Sequence, residues 1–184
     1  MLGRAMTVTP DATQRVLDAA ERKGIKLDVV FFDESTRTAE EAARAVGTEV
    51  GAIVKSLIFV SEHVDGLEAF LVLASGANQV DVALLAAVLT EPRLRRANAN
   101  EAREITGFAI GGIPPFGHKQ VLRTILDPDL TRYEQVWAAA GTPNSVFPVT
   151  PQTLRILSNA VVTPITGGLA PIEAERAASA STNA

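Results

Sequence analysis

Apolar positions gather in short runs along the chain, and the run over residues 51–60 (GAIVKSLIFV) predicts the central strand. It is rich in β-branched residues and free of proline, which favours a strand that is buried on both faces. A second apolar run covers residues 67–74, after the turn signal His63-Val64-Asp65-Gly66. The two runs therefore predict a β-hairpin. Lys55 lies within the first run, where a charged side chain is rarely buried without a partner.

Five other segments have the capping residues and stop signals of helices. Proline or acidic residues precede or begin them, and glycine ends the first two, as expected at helix termini. Asp81 is a candidate cap for the third. The predicted helices cover residues 9–24, 39–47, 82–89, one or two turns at 100–104, and 150–157.

Further strands are predicted at residues 27–32, 121–126 and 161–164. Residues 131–140 fit a helix or a strand, and we favour a strand near residues 136–139. Because helices and strands alternate irregularly, the pattern predicts an α+β (mixed α/β) fold with a single sheet. Residues 9–166 would form one domain, with an N-terminal extension at 1–8 and a loosely ordered, alanine- and serine-rich tail at 167–184.

Composition narrows the chemistry. The chain has 184 residues, no cysteine and two histidines, which disfavours disulfides, thiolate chemistry and histidine metal sites. We therefore expect no metal and no cofactor. The net charge of −4 disfavours a protein that coats nucleic acid non-specifically but permits one that grips an RNA end. Neither a membrane span nor a signal peptide is evident, so we expect a cytoplasmic protein without a membrane partner.

Lys55 has two interpretations. Its ammonium could lie at the rim of the sheet and reach water, or it could face a cavity that needs a positive charge. The apolar residues on both sides shift the balance toward a pocket. Ser75 and Gly76 end the next strand, at a position where ligand loops often lie.

A loop rich in glycine and proline follows at residues 106–118. Gly111 and Gly112 permit close approach of backbone amides to a ligand, and Pro114 and Pro115 stiffen the loop. The simpler interpretation is a tight connection between elements. His118 could be a general base, although a solvent-facing loop histidine is the simpler account.

Two other features limit the possibilities. The cluster Arg93, Arg95 and Arg96 is typical of a solvated surface and less often of a phosphate contact. No nucleophile elbow or Ser-His-Asp order is visible, so an enzyme with this sequence would work without a covalent intermediate.

Taken together, these motifs resemble the YbaK/prolyl-tRNA synthetase-associated editing domain family. The resemblance rests on their order and spacing and extends from about the first helix to Thr166. It is carried by Lys55 within residues 53–58, residues 73–76 followed by Asp81, residues 106–117, residues 125–127 and residues 139–141.

The resemblance implies a curved, mixed, largely antiparallel sheet flanked by helices. It also implies a free-standing deacylase that hydrolyses the ester of mischarged tRNA in trans, often tRNA(Pro) carrying a small amino acid. The partners would be the tRNA 3′ end and, transiently, a synthetase. In that family the strand lysine, here Lys55, is a key active-site residue, and the loop at residues 111–115 helps to bind the terminal adenosine and the ester.

The predicted site follows from these motifs. Its catalytic residues are Lys55, Gly111 and Gly112. Its substrate-binding residues are Ser56, Ser75, Gly76, Ile113, Pro114, Pro115 and His118.

Alternatives stay open at this point. A non-catalytic module of the same fold could bind a nucleotide, a tRNA end or a protein, and a hydrolase could act on another small ester. The amino acid is also open, because Ser56 stands where alanine-specific relatives tend to carry asparagine.

Overall fold

The computed structural model describes residues 9–167. The predicted extension at residues 1–8, and all but the first residue of the predicted tail, lie outside the described residues. Within residues 9–167, no helix is long and apolar enough to cross a membrane.

Five helices form where the caps predicted them. Thr38 and Asn98 each begin a helix with a full capping box, in which a side-chain oxygen and a glutamate satisfy the first amides reciprocally. Asp81 is a cap, since its Oδ1 accepts a hydrogen bond from the Leu84 amide at 3.0 Å. The helices are α1 (Asp11–Glu21), α2 (Ala39–Val46), α3 (Val82–Leu89), α4 (Ala99–Thr106) and α5 (Pro151–Ser158).

The strands form two sheets, a larger mixed one and a smaller antiparallel one, rather than the single sheet that the sequence predicted. They are β1 (Val30–Phe31), β2 (Val54–His63), β3 (Gly66–Ser75), β4 (Arg95–Arg96), β5 (Arg123–Leu126), β6 (Val136–Ala139), β7 (Ser145–Val149) and β8 (Val161–Val162). The larger sheet has the order β4-β2-β3-β5-β8 and the smaller one β1-β7-β6. A parallel bridge between Ile53 and Trp137 links them.

The fold class is confirmed as a single mixed α+β domain. Most strand pairs are antiparallel, and β5 is parallel to both β3 and β8. The favoured strand at residues 136–139 is confirmed as β6. The strands predicted at 27–32 and 121–126 are shorter than expected: β1 pairs over two residues, and Val121 is fully exposed.

The hairpin of β2 and β3 is buried on both faces, because alternate residues enter two different cores. Ile58 and Val60 pack in the larger core together with α1, whereas Phe59 packs in a second core against α3. Lys55 shares the alternation of Phe59 and pairs with Ala74, which also belongs to the second core. The side chain of Lys55 therefore leaves the backbone on the face of the hairpin that packs against α3.

Asp127 joins the ends of β3 and β5. It precedes Pro128, and its Oδ1 accepts a hydrogen bond from the Asp129 amide at 3.0 Å. The other oxygen accepts hydrogen bonds from the Ser75 amide at 3.0 Å and from Asn78 Nδ2 at 2.8 Å. Because Asp127 is 1% exposed, these donors have no water to replace it.

We predict that Asp127→Ala destabilises the fold by about 3 kcal/mol, because buried donors lose their acceptor. For a chain of this length the Tm would fall by about 10 °C, measured by circular dichroism. Asp65→Ala, in the exposed hairpin turn, is the matched control and should leave the Tm unchanged. An equal Tm for both variants would contradict the role assigned to Asp127.

Candidate active site

A cleft of about 380 Å³ opens where the two sheets meet. We call it the lysine cleft. One wall is the start of β2, and the facing walls come from the α2 N-terminus, the glycine-proline loop and β6. Its lining residues include Arg37, Glu40, Lys55, Gly111, Ile113 and Ala138.

Lys55 lines this cleft and is half-buried. It is therefore neither a fully solvated lysine at the rim of the sheet nor one that is enclosed in a cavity. Its Nζ donates a hydrogen bond to the backbone oxygen of Asn78. Burial lowers the pKa of Lys55; Glu40 and Asp127 oppose this shift, and Arg96 adds to it. An ammonium has three donors, so one is engaged by the protein and two are left for a ligand.

The position of the ammonium depends on a buried network. The side-chain nitrogen of Asn78, Nδ2, donates to the carboxylates of Asp127 and Asp129, each at 2.8 Å. These bonds fix the backbone carbonyl that receives Lys55. The side chain of Ser75 joins the end of β3 to the segment before β2, since its Oγ donates a hydrogen bond to the Gly51 carbonyl at 2.7 Å. Ser75 thus supports the strand ends and does not line the lysine cleft.

The predicted loop glycines have different environments. Gly111 lines the lysine cleft and has φ +91°, a conformation that favours glycine. Gly112 packs against the backbone of Thr142, where an added Cβ would lie 2.8 Å from the Thr142 Cα. Its amide donates to the Ala109 carbonyl at 3.0 Å, so that donor is already used inside the loop.

The other predicted residues divide into two groups. Ser56, Gly76 and Ile113 line the lysine cleft beside Lys55. Pro114 and Pro115 are buried and do not line it.

His118 is not a solvent-facing residue, and it does not line the lysine cleft. Its Nε2 donates to the Pro114 carbonyl at 2.7 Å, and its ring packs edge-on against Phe108. Burial lowers the pKa of His118. The histidine therefore braces the loop from within, which a local sequence pattern could not reveal.

The family can now be named. A model of the aminoacyl-tRNA editing domain matches residues 33–157, a span that contains the whole lysine cleft. The chain belongs to this family. It is accordingly a hydrolase of the aminoacyl-tRNA ester, which confirms the resemblance and the enzyme class expected from the sequence.

Individual relatives agree with this assignment. The chain is 35% identical to the uncharacterised Bacillus subtilis protein YwhH over 71% of its own length and 81% of that protein. It is 29% identical to the Escherichia coli K12 multifunctional Ser/Thr-tRNA deacylase ProXp-y, over 78% and 86%. A crystal structure of a candidate trans-editing enzyme for prolyl tRNA synthetase superposes with a TM-score of 0.80 at 48% identity, covering 88% of this chain and 100% of that one.

Sequence reasoning missed several residues that line the lysine cleft. Arg37 and Glu40 reach it from the start of α2, and Trp137 and Ala138 reach it from β6. The sequence favours a solvated surface for the cluster that includes Arg96, with a phosphate contact as the alternative. In the structure Arg96 lines the cleft, and its guanidinium lies 5.5 Å from the centre of the Phe59 ring. Arg37 directly precedes Thr38, the cap of α2, and this position alone does not indicate that its side chain lines the cleft.

A possible metal-ligand group lies elsewhere in the editing domain. His63, Glu68 and Glu91 come together at the hairpin end, with His63 Nε2 3.0 Å from Glu91 Oε2. None of the three lines the lysine cleft, so we assign the group no part in ester hydrolysis.

We predict that Gly112→Ala displaces the glycine-proline loop at residues 106–118, because the added Cβ would meet the Thr142 backbone, which cannot move aside as a flexible side chain could. The variant should lose about 1–3 kcal/mol of stability, measured by urea unfolding. Gly111→Ala is the comparison, since its Cβ would lie 3.6 Å from Arg37 Cγ, an ordinary contact, and would cost only backbone strain. A loss for Gly111→Ala that exceeds the loss for Gly112→Ala would contradict this reading of the loop.

Proposed function

We propose that this editing enzyme acts in trans, in the cytoplasm, on tRNA(Pro) or a related tRNA that carries a small amino acid. One observation carries the proposal: Lys55 is half-buried and lines one cleft together with Gly111 and Ile113. The similarity to a candidate trans-editing enzyme for prolyl tRNA synthetase supports the choice of tRNA. A transient contact with a synthetase would deliver the substrate, and residues 9–166 would carry the activity.

The walls of the lysine cleft suit a short side chain. Ile58, Ala102 and Ala138 give it an apolar lining, and Ile113 and Val146 lie among the other lining residues. A pocket of this kind separates substrates mainly by size, and one methylene changes binding by about 1–3 kcal/mol. The enzyme would thus reject large amino acids firmly and distinguish small ones weakly.

The reaction needs no strong nucleophile, because an aminoacyl ester is already activated. Water would attack the carbonyl carbon, the bond to the ribose oxygen would break, and the proton lost by water would go to that oxygen. Lys55 would bind the ester region and stabilise the negative charge that develops on the carbonyl oxygen. Glu40 helps to keep Lys55 protonated, because its charge raises the pKa of the lysine.

We predict that Lys55→Ala lowers the deacylation rate by about 100-fold or more, the usual effect of removing one charge-stabilising donor. The assay would follow release of radiolabelled amino acid from tRNA(Pro), tRNA(Ala), tRNA(Ser) and tRNA(Thr) charged with small amino acids. Ala83→Ser, on the exposed surface of α3, is the control and should keep full activity.

The Lys55→Ala variant should stay folded, which a thermal melt would verify. Full activity of this variant would rule out the proposed role of Lys55. Binding of charged tRNA by the wild-type protein without turnover on any member of the panel would favour the non-catalytic module instead.

We also predict a pH profile that reports on Lys55. If the ammonium is the active form, activity falls as pH rises through a pKa below the ordinary lysine value of 10.5. Glu40→Gln removes a charge that raises this pKa, so the alkaline limb should move to lower pH. Arg96→Gln removes a charge that lowers it, so the limb should move to higher pH. Rates would be corrected for spontaneous ester hydrolysis, and shifts of the same sign in both variants would contradict the assignment.

A further inference from the structure

Three side chains that can bind a metal meet at the turn end of the β2–β3 hairpin. His63 is the last residue of β2, and Glu68 lies on β3, where it pairs with Ser61. Glu91 comes from a separate segment, just after the end of α3. One ligand atom from each of the three lies within 4.8 Å of the other two. We call His63, Glu68 and Glu91 the hairpin-end cluster.

The strand alternation places the two hairpin members on one face. His63 alternates with Phe59, so both side chains leave β2 on the side that packs against α3. Ser61 shares this alternation, and its cross-strand partner Glu68 therefore lies on the same face. The end of α3 brings Glu91 to that face. The cluster thus forms only when the hairpin and the helix have packed together.

The carboxylate of Glu91 is the observation that points to a ligand. Its side chain is only 9% exposed. Its Oε2 is buried and has no hydrogen-bond partner within residues 9–167. The Nε2 of His63 lies 3.0 Å from this oxygen, but the two groups lack the alignment of a hydrogen bond. A buried carboxylate oxygen without a donor is costly, and a cation bound to that oxygen would remove the cost.

The spacing within the cluster also fits the ligands of one metal ion. Zinc binds imidazole nitrogen and carboxylate oxygen at about 2.0–2.2 Å, which places two ligands of a tetrahedral ion roughly 3.4 Å apart. His63 Nε2 lies 3.0 Å from Glu91 Oε2 and 3.5 Å from Glu68 Oε2. An imidazole among the ligands favours a first-row transition cation over Mg²⁺ or Ca²⁺, which prefer oxygen.

We propose that the hairpin-end cluster binds a first-row divalent metal ion such as Zn²⁺, with water completing the coordination. The ion joins the hairpin turn to the end of α3. It takes no part in ester hydrolysis, because no member of the cluster lines the lysine cleft. The sequence expectation of no metal rested on the small number of histidines, whereas two of the three ligands here are carboxylates. The inference does not depend on which charged tRNA is the substrate.

The test is a calorimetric titration of the metal-free, untagged full chain with Zn²⁺, which should bind one ion per chain. Even outer-shell partners change the affinity for a metal by about 10–100-fold, so the loss of a direct ligand should weaken binding by about tenfold or more. The ligand variants are His63→Gln, Glu68→Gln and Glu91→Gln. Glu62→Gln is the matched control and should keep the wild-type affinity, since Glu62 pairs with Arg95 outside the cluster. No binding by the wild-type chain, or an unchanged affinity in folded Glu91→Gln, would overturn the inference.

The two histidines of the chain provide a readout that needs no substitution. On addition of Zn²⁺ the ring-nitrogen NMR signals of His63 should move. Those of His118 should not, because its Nε2 is bound to the Pro114 carbonyl inside the glycine-proline loop. The same concentration of Mg²⁺ should leave both rings unchanged. A response at His118 alone, or an equal affinity for Mg²⁺ and Zn²⁺, would overturn the inference.

Metal binding should also stabilise the native chain, because only folding brings the three ligands together. At a Zn²⁺ concentration 100 times the wild-type Kd, the Tm should rise by about 5–10 °C in the wild type and in Glu62→Gln. At the same Zn²⁺ concentration the rise in Glu91→Gln should be about half as large or less, because its Kd is about tenfold higher. An equal rise in Glu91→Gln and the wild type would show that the ion binds elsewhere and would contradict the proposed site.

Discussion

An ammonium group inside an apolar hairpin needs a hydrogen-bond acceptor, and the arrangement of the residues around Lys55 supplies one. Lys55 finds its acceptor in the Asn78 carbonyl, at the turn that follows β3. Asp127 holds that turn, and the same carboxylate receives the amide of Ser75. The contacts that keep β3 and β5 together therefore also aim the charge. If Lys55 acts as proposed, stability and chemistry share one set of hydrogen bonds, and a buried carboxylate far along the sequence matters to both.

The charge itself is held in balance. Desolvation and Arg96 favour loss of the proton, while Glu40 and Asp127 favour its retention. An apolar side chain at position 55 would pack beside Ala74 without any desolvation penalty, so the lysine is a feature that the fold tolerates rather than needs. Such a residue is expected where the charge serves a ligand.

Local patterns predicted what local forces decide. The hairpin, the cap at Asp81 and the strand β6 all follow from neighbouring residues, and so does the choice of Lys55 as a candidate site residue. The division into two sheets could not be predicted, because it depends on pairings such as that of Val30 with Val146, which join segments far apart in the sequence. Likewise, His118 differs from a surface histidine only through burial against Phe108 and Pro114, contacts that the chain makes after the loop has folded.

The lysine cleft has walls from two different sheets, and this separation has an evolutionary consequence. The hairpin of the larger sheet carries Lys55, whereas Ala138 and Val146 belong to the smaller sheet on the opposite wall. Substitutions in the smaller sheet can widen or narrow the lysine cleft without disturbing the hydrogen bonds that hold Lys55. If the cleft receives the amino acid as proposed, lineages can change the charging error that they correct while inheriting the same lysine and its acceptor.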